Sequence, residues 1–279
     1  EKNNNIRAML KLTYKCEILS SIKNIKKIDY PEIISICVPD QYHYEMLQQV
    51  IELKPRLVII EKPISTDPIL SKKIFNIYKK KNIKLLVNYS RRFIPFFSNL
   101  SKELKDQKII SSQVYYANGL LHNGCHIIDL LNILFGAIKN YKALSYREDF
   151  SSEDPTVSAF LSTENCKSCF MIGLDNRNYV HWEMNIFTNK FMYRIHTDHR
   201  KLSIKKIKSN SGTPLGKRLI DYKTINISYD IAIKNLYLKA KSILDNNLDW
   251  EKEAYSALQA EDIAHKLLKK AKLSAINNN

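Results

Sequence analysis

Apolar residues in the first third of the chain fall into short, nearly continuous runs separated by helical patterns. The runs 33–38, 57–60 and 83–87 show almost no alternation with polar residues, which predicts strands buried on both faces of a sheet. The segments 41–53 and 68–81 between them have the spacing of amphipathic helices. Strand and helix alternate with short connections, and this order predicts an α/β fold with a doubly wound parallel sheet.

Two aspartates in this region are expected to begin the helices. Asp40 follows the first strand, and its carboxylate is expected to cap the helix 41–53. Asp67 precedes Pro68, a pair that is typical of an N-cap followed by the first helical residue.

The second half of the chain has a different pattern. A helix over 122–135, closed by Gly136, is followed by short segments rich in β-forming residues, and two amphipathic helices over 229–245 and 250–272 end the chain. The expected strands lie near 140–148, 155–163, 168–174, 181–188 and 191–196. This pattern predicts an α+β domain with a large, mostly antiparallel sheet, and we place the domain boundary near residue 90.

Composition restricts the class of protein. No apolar run reaches the roughly 18–20 residues that cross a bilayer, and no secretory signal is evident. The net charge of +16 arises from 44 basic and 28 acidic side chains, but the lysines are scattered, and the run Lys205-Lys206 lacks interleaved aromatic residues. We therefore expect an anionic small molecule as partner, and nucleic-acid binding is the minority expectation.

The cysteines and glycines add two negative observations. Five cysteines are an odd number in a chain of 279 residues, which favours a reducing cytoplasm, and Cys166-Lys-Ser-Cys169 is expected to flank a hairpin turn rather than to bind a metal. All six glycines lie at or after Gly119, so the phosphate-binding G-x-G-x-x-G turn is absent. Either the sheet binds no dinucleotide, or its first β-α-β unit is missing from this chain.

Polar motifs follow each of the three expected parallel strands. They are Pro39-Asp-Gln-Tyr-His43, Glu61-Lys62-Pro63 and Asn88-Tyr-Ser-Arg-Arg-Phe93. Each motif alone is weak evidence, because Glu-Lys and Arg-Arg pairs are common surface charges. Their position after successive strand ends predicts a ligand crevice.

A fourth motif lies on the expected helix 122–135. His122, His126 and Asp129 are spaced i, i+4 and i+7, which places them on one face of an α-helix. A metal site is the weaker interpretation, because the H-E-x-x-H arrangement is absent. Two histidines and a carboxylate on one face favour proton-transfer chemistry.

These motifs, in this order, resemble the glucose–fructose oxidoreductase / inositol dehydrogenase / MocA (Gfo/Idh/MocA) family. The resemblance covers the chain from about residue 30 and includes Trp250-Glu-Lys-Glu-Ala254 in the last helix. It implies a partial Rossmann dinucleotide-binding domain over 1–90 and a substrate-binding and oligomerisation domain over 91–279 with a large open sheet. It also implies NAD or NADP as cofactor and a sugar, cyclitol or nucleotide sugar as substrate.

The resemblance also implies a role for each matching residue. Lys62 corresponds to the catalytic lysine, and His126 corresponds to the histidine that transfers the proton. The expected cofactor-binding residues are Pro39, His43, Glu61 and Arg92. The expected substrate-binding residues are Tyr89, His122, Asn123 and Asp129. Family members often have an aspartate where this chain has His122, and the sequence His-Asn-Gly-x-His resembles members from surface-polysaccharide pathways.

The leading hypothesis is therefore a cytoplasmic NAD(P)-dependent oxidoreductase of a sugar or nucleotide sugar. Lys62 would stabilise the negative charge on the substrate oxygen, and His126 would take its proton. We expect a homo-oligomer that forms through the open sheet. The alternatives are a catalytically incompetent binding or oligomerisation module of the same fold and a basic nucleic-acid binder.

Overall fold

The computed structural model describes residues 4–14, 17–26, 30–178, 181–196, 200–209, 216–246 and 248–276. The α-helices are α1 (Asn4–Tyr14), α2 (His43–Val50), α3 (Pro68–Lys80), α4 (Pro95–Leu104), α5 (Cys125–Phe135), α6 (Ala232–Asp245) and α7 (Trp250–Ile276). The strands are β1 (Ile33–Ile36), β2 (Leu57–Glu61), β3 (Lys84–Asn88), β4 (Ile109–Tyr116), β5 (Ile138–Arg147), β6 (Thr156–Thr163), β7 (Cys169–Gly173), β8 (Glu183–Thr188), β9 (Phe191–Ile195), β10 (Lys201–Ser209) and β11 (Lys217–Asn226). None of the described helices is both long and apolar enough to cross a membrane.

The chain divides into two compact units. The first unit comprises Glu1–Asn88 and Ser242–Ala254, and the second comprises Tyr89–Lys241 and Tyr255–Asn279. The segment Ser242–Ala254 lies with the first unit, although the sequence suggests that it continues the second domain. Its contacts explain the difference, because Trp250 packs against Phe75 with ring centroids 5.8 Å apart.

The first unit contains a parallel sheet in the order β1-β2-β3. The apolar side chains of β2 are buried from Leu57 to Ile60, and β3 is buried from Leu85 onward. The expected strands and their parallel order are confirmed. The expected burial on both faces is correct for β2 and β3 and wrong for β1, where Ile33 and Ser35 are exposed because β1 lies at the edge of this sheet.

One of the two expected helix caps is correct. The Asp67 carboxylate accepts the N–H of Ile69 at 2.8 Å, and Pro68 is the first residue of α3. The expected cap at Asp40 is wrong, because Asp40 itself begins a 3₁₀ turn and its carboxylate accepts the adjacent N–H of Gln41 rather than an N–H of α2. This turn precedes α2, which therefore begins later, at His43.

The second unit contains an eight-stranded sheet in the order β11-β10-β9-β8-β4-β7-β6-β5. Only the β4–β7 pair is parallel among the neighbouring strands of this sheet, so the expected mostly antiparallel sheet is confirmed. The five strands expected from the sequence correspond to β5–β9. The strands β4, β10 and β11 have no counterpart in the sequence prediction.

The two faces of this sheet differ. Lateral pairing aligns one row of side chains on one face, which we call the open face: Phe160, Phe170, Gln113, Asn185 and Arg194. On the other face, Tyr116 is fully buried and its hydroxyl donates to the carbonyl of Val157 at 2.6 Å. The start of α5 packs on this second face, because a Cβ at Gly124 would lie 2.9 Å from the Tyr116 ring.

The helix that carries His126 begins later than the sequence suggests. The residues Gly119–Gly124 form a π-helical turn, and α5 begins at Cys125 and ends before Gly136. Gly119 has a φ of +74°, and a Cβ there would collide with the carboxylate of Asp154. The i, i+4, i+7 argument is therefore wrong for His122, since a π turn changes its direction relative to α5.

Candidate active site

The expected crevice motifs of the first unit lie past the carboxyl ends of the parallel strands. Glu61 ends β2 beside Asn88, which ends β3. Lys62 follows β2 directly and is half-buried, and Pro39 lies exposed after β1. This is the edge of an open α/β sheet at which ligands bind.

His43 holds two of these loops together. Its side chain is 1% exposed, and the ring lies between two backbone carbonyls. Nε2 is 2.9 Å from the oxygen of Val38, and Nδ1 contacts the oxygen of Pro63, whose peptide bond to Lys62 is cis. His43 therefore positions the loop that carries Lys62.

The Glu61–Asn88 pair offers a test of fit for a cofactor at this edge. Nδ2 of Asn88 donates to Oε1 of Glu61 at 2.6 Å, whereas Oδ1 of Asn88 is buried without a hydrogen-bond partner among the described residues. An unsatisfied buried acceptor costs about 1–3 kcal/mol. A hydroxyl or amide donor of a dinucleotide would satisfy it, so the residues at this edge fit such a ligand.

The second unit assembles four of the expected site residues into one cluster. The Tyr89 ring lies edge-on to His126, with centroids 5.4 Å apart, and the Arg92 guanidinium lies 5.5 Å from the Tyr89 centroid. Nε of Arg92 donates to both carboxylate oxygens of Asp129 at 2.9 Å. The cluster thus combines the connection between β3 and α4, which carries Tyr89 and Arg92, with α5, which carries His126 and Asp129.

Burial shapes the chemistry of this cluster. The side chains of Arg92 and Asp129 are 6% and 1% exposed, so their ion pair is shielded from solvent. Nη2 of Arg92 also donates to Oγ of Ser256 at 3.0 Å. Tyr89 is fully enclosed, and burial, followed by nearby acidic groups, raises its pKa well above the usual value for tyrosine. The phenol therefore stays protonated, and removal of one partner of the ion pair would leave a buried charge.

The π-helical turn holds the remaining two expected residues. The His122 ring stacks on Phe150 with centroids 4.7 Å apart, and Nδ2 of Asn123 donates to the carbonyl of Ala117 at 2.8 Å. The Asp154 carboxylate accepts the N–H groups of Leu121 and His122 at 2.7 and 2.8 Å. Asp154 therefore fixes the backbone that carries His122 and Asn123.

Sequence reasoning missed Asp154 and Arg91 as site residues. The only sequence signal for Asp154 is that an acidic residue with Pro155 precedes an expected strand, and it does not indicate a helix 30 residues earlier. Taken alone, the pair Arg91-Arg92 is a common surface charge, but in the structure the Arg92 side chain is paired and almost fully buried, and Nη1 of Arg91 is enclosed.

The cysteine pair lies where the sequence suggests, at the turn between β6 and β7. Both side chains are buried, and the hydrogen bond from Cys169 lowers the pKa of the Cys166 thiol to about 7. Within the described ranges, no group of three or more His, Cys, Asp or Glu side chains is arranged to hold a metal ion.

The open face of the large sheet carries a cavity of about 570 Å³ that the sequence does not indicate. Its lining includes Gln113, Asn185 and Arg194. Nδ2 of Asn185 and Arg194 both donate to the Glu183 carboxylate, at 2.9 and 2.8 Å, and these hydrogen bonds lower the pKa of Glu183 although burial acts in the opposite direction.

Comparison with known proteins identifies the type of domain. Residues 2–89 match the model of the Gfo/Idh/MocA oxidoreductase family, NAD-binding Rossmann fold. No curated protein matches the sequence.

Solved structures of several oxidoreductases are similar to nearly the whole chain. A putative NADPH-dependent oxidoreductase from Desulfitobacterium hafniense has 15% identity and a TM-score of 0.79, with 98% of this chain and 87% of that chain covered. A UDP-N-acetylglucosamine 3-dehydrogenase from Acidithiobacillus ferrooxidans has 12% identity and a TM-score of 0.77, with 98% and 88% covered. An oxidoreductase from Agrobacterium radiobacter, solved with NAD⁺, L-tartaric acid and magnesium, has 12% identity and a TM-score of 0.73, with 98% and 87% covered.

These structural likenesses establish the fold, and the family match establishes the cofactor class of the first unit. The parallel sheet with its ligand edge and the large mixed sheet agree with both findings. Residues 2–89 are therefore an NAD-binding Rossmann domain of the Gfo/Idh/MocA oxidoreductase family, and the chain as a whole has the fold of such oxidoreductases.

Proposed function

We propose that this protein is an NAD(P)-dependent oxidoreductase that transfers a hydride between nicotinamide and a carbinol or ketone of a sugar or nucleotide sugar, in surface-polysaccharide biosynthesis. The observation that carries the proposal is the family match of residues 2–89, a segment in which Lys62 lies directly past the ligand-binding edge of the sheet. The neighbour that acts on UDP-N-acetylglucosamine supports the choice of a nucleotide sugar as first substrate to test.

Lys62 and His126 carry the proposed chemistry. The nicotinamide, when bound, supplies the hydride acceptor or donor. As the hydride leaves the carbinol carbon, negative charge grows on the oxygen, and the Lys62 ammonium would stabilise it. The carbinol proton would pass to a ring nitrogen of His126, and in the reverse direction His126 would return it to the ketone oxygen.

The neighbouring residues would hold these groups in place. The Arg92–Asp129 ion pair and the Tyr89 ring fix the surroundings of His126. We propose that Tyr89 and Asp129 belong to the substrate-binding part of the site and hold His126 in position there. His122 and Asn123, held by the Asp154 turn, are proposed to contact the substrate.

The cofactor part of the site is proposed to use the same residues that the sequence suggests. Pro39 and Glu61 lie at the ligand-binding edge. His43 would contribute by holding the Lys62–Pro63 loop in place. Arg92 is proposed to lie along the cofactor, and its ion pair with Asp129 would hold the guanidinium in position. Asn88 is an additional candidate, because its buried Oδ1 can accept a hydrogen bond.

We further propose that two or more copies associate through the open face. Phe160 and Phe170 pair there with ring centroids 5.3 Å apart, and Phe170 is 37% exposed. Apolar surface beside a concave polar surface is typical of a protein interface. The described cysteines Cys37, Cys125, Cys166 and Cys169 are free thiols, which supports the proposed cytoplasmic location.

The proposed function is tested with Lys62→Met and His126→Asn in the full chain. We expect each variant to lose about 10²–10⁴-fold in kcat with UDP-N-acetylglucosamine or a related sugar. The affinity for NADH, measured by fluorescence titration, should change by less than about twofold, because neither substitution removes the proposed cofactor contacts.

Matched controls separate chemistry from general damage. Lys73→Met changes an exposed lysine of the first unit, and His265→Asn changes a half-buried histidine of α7 to which the proposal gives no role. Both controls should keep wild-type turnover. Unchanged turnover in both site variants would remove the assigned roles, and a chain that binds no NADH would favour the binding-module alternative.

A further inference from the structure

Two adjacent arginines of the second unit have very different partners. Arg92 forms a buried ion pair with Asp129. Arg91 forms no ion pair with a carboxylate among the described residues, and its Nη1 is buried without a hydrogen-bond partner there. Nη2 of Arg91 makes one long contact, 3.5 Å, with Oδ1 of Asn123.

The surroundings of Arg91 are enclosed, and its buried Nη1 lacks a hydrogen-bond partner among the described residues. Its guanidinium carbon lies 5.2 Å from the centroid of the buried Trp182 ring, a favourable cation–π contact that supplies no hydrogen-bond acceptor. Burial lowers the pKa of Arg91, although a guanidinium keeps its proton in proteins. The Asp129 carboxylate acts on Arg91 through its charge but forms its ion pair with Arg92, so the buried Nη1 of Arg91 stays costly unless a ligand provides an acceptor.

The orientation of Arg91 suits an anionic ligand. Contact with the Trp182 ring leaves the N–H donors of Arg91 without an acceptor from that ring, and among the described residues Nη1 has no hydrogen-bond partner while Nη2 makes only the 3.5 Å contact with Asn123. Those donors match the two oxygens of a carboxylate or phosphate. Arg91 is half-buried rather than sealed, so the residue keeps some contact with solvent.

We propose that Arg91 binds an anionic group, a carboxylate or a phosphate, of the substrate. This inference rests on the proposed function and narrows its substrate to an anionic sugar derivative. Asn123, which contacts Arg91, lies in the π-helical turn that leads into α5, three residues before His126. The anion would therefore anchor the sugar near the proposed proton-transfer group, and Arg91 would determine specificity rather than perform a chemical step.

Direct binding to the full chain tests the proposal without cofactor or turnover. The probes are D-glucuronate, D-glucose 6-phosphate and D-glucose, which share a ring and differ in charged group. Binding is followed by Trp182 fluorescence in a Trp250→Phe background, because Trp182 contacts Arg91 and Trp250 packs in the first unit. Calorimetry on the unaltered chain provides a second measurement.

At least one anionic probe should bind tenfold or more tightly than D-glucose, and the preferred anion identifies the carboxylate or the phosphate as the ligand group. Arg91→Met should weaken that binding at least tenfold without changing D-glucose binding, and Arg91→Lys should keep part of it. The control Arg177→Met removes an exposed arginine of the same unit and should bind as wild type does.

Three results would overturn the proposal: equal binding of charged and neutral probes, unchanged anion binding by Arg91→Met, or binding of none of the probes. Circular dichroism of each variant shows whether the fold is retained, and Arg91→Lys keeps the test valid if Arg91→Met unfolds. If the unaltered chain binds an anionic probe through Arg91 but does not bind NADH, the proposed oxidoreductase function is contradicted and the anion site is supported.

Discussion

The hydroxyl of Tyr89 is buried beside His126 and has no hydrogen-bond partner among the described residues. A buried hydroxyl without a partner loses its hydration and gains nothing in return. We therefore expect Tyr89→Phe to leave the free energy of unfolding unchanged or to raise it by up to about 1 kcal/mol. Urea unfolding followed by circular dichroism measures this change.

Tyr116→Phe is the matched control, because the Tyr116 hydroxyl both donates to the carbonyl of Val157 and accepts its N–H. That variant should lose about 1–3 kcal/mol. Turnover adds a second readout: if the Tyr89 hydroxyl contacts the substrate, as the resemblance implies, Tyr89→Phe will lower kcat or raise KM. A loss of stability as large as in Tyr116→Phe would show that the hydroxyl has a partner in solution.

The sequence could predict which residues follow the strand ends, but it could not predict their partners. Glu61-Lys62-Pro63 lies past β2 as expected, because a continuous apolar run identifies a strand on its own. The pairing of Arg92 with Asp129 joins residues 37 positions apart. No local pattern distinguishes Arg92 from Arg91, and only the fold shows that one of them is paired.

At the scale of elements, Asp154 determines how the helix that carries His126 begins. Its carboxylate accepts two N–H groups of the π-helical turn. Asp154→Ala removes both of these charge-assisted hydrogen bonds, and we expect a loss of about 1–3 kcal/mol in unfolding free energy. Turnover should fall as well, because His122 and Asn123 lie on this turn.

The contribution of Asp154 to the unfolding free energy should depend on pH. Burial raises the pKa of the Asp154 carboxyl above its ordinary value, although hydrogen bonds from the turn oppose this effect. A raised pKa in the folded state contributes stability below the ordinary pKa that is lost as pH rises through the folded value. The advantage of wild type over Asp154→Ala should therefore be larger at pH 4 than at pH 8, as measured by urea unfolding.

Asp221→Ala is the control, since the Asp221 side chain is 93% exposed. Its stability should match that of wild type at both pH values. A stability difference between wild type and Asp154→Ala that grows with pH would contradict the assignment.

The element boundaries that the sequence could not predict have physical causes. The 3.6-residue pattern of Ile127, Leu130 and Leu134 continues through the start of α5, and nothing in it reveals that Gly119–Gly124 forms a wider turn held by Asp154. The strand β11 lies at one edge of the sheet and β10 lies next to it, and both carry many exposed lysines, which weakens the apolar pattern of their sequences.

At the scale of the whole molecule, the sequence motifs were enough to indicate the family resemblance. They did not indicate that Ser242–Ala254 lies with the first unit. Four short motifs and their order are enough for the resemblance, because each motif keeps its place after a strand or on a helix. Ser242–Ala254 lies with the first unit through contacts such as Lys79–Glu251 at 2.5 Å, which join residues 172 positions apart. No local sequence pattern indicates that a late segment of the chain packs against the first unit.

The open face of the large sheet is the proposed surface for association of copies of the chain. Phe170 is a partly exposed aromatic residue in the lateral row with Phe160 and Gln113. A charge placed in the centre of an apolar interface loses its hydration, so Phe170→Asp should dissociate the oligomer. Light scattering coupled to gel filtration should give a wild-type mass of at least twice 32.6 kDa and a variant mass near 32.6 kDa.

Ile69→Asp provides the matched control, because Ile69 is 75% exposed on α3 of the first unit, whereas the open face belongs to the second unit. It introduces the same charge at an apolar surface position and should keep the wild-type mass. A wild-type chain that is monomeric at micromolar concentration, or a Phe170→Asp variant with the wild-type mass, would show that the open face does not join copies. If turnover falls together with the mass of Phe170→Asp, the active protein is the oligomer; if turnover stays, each copy works alone.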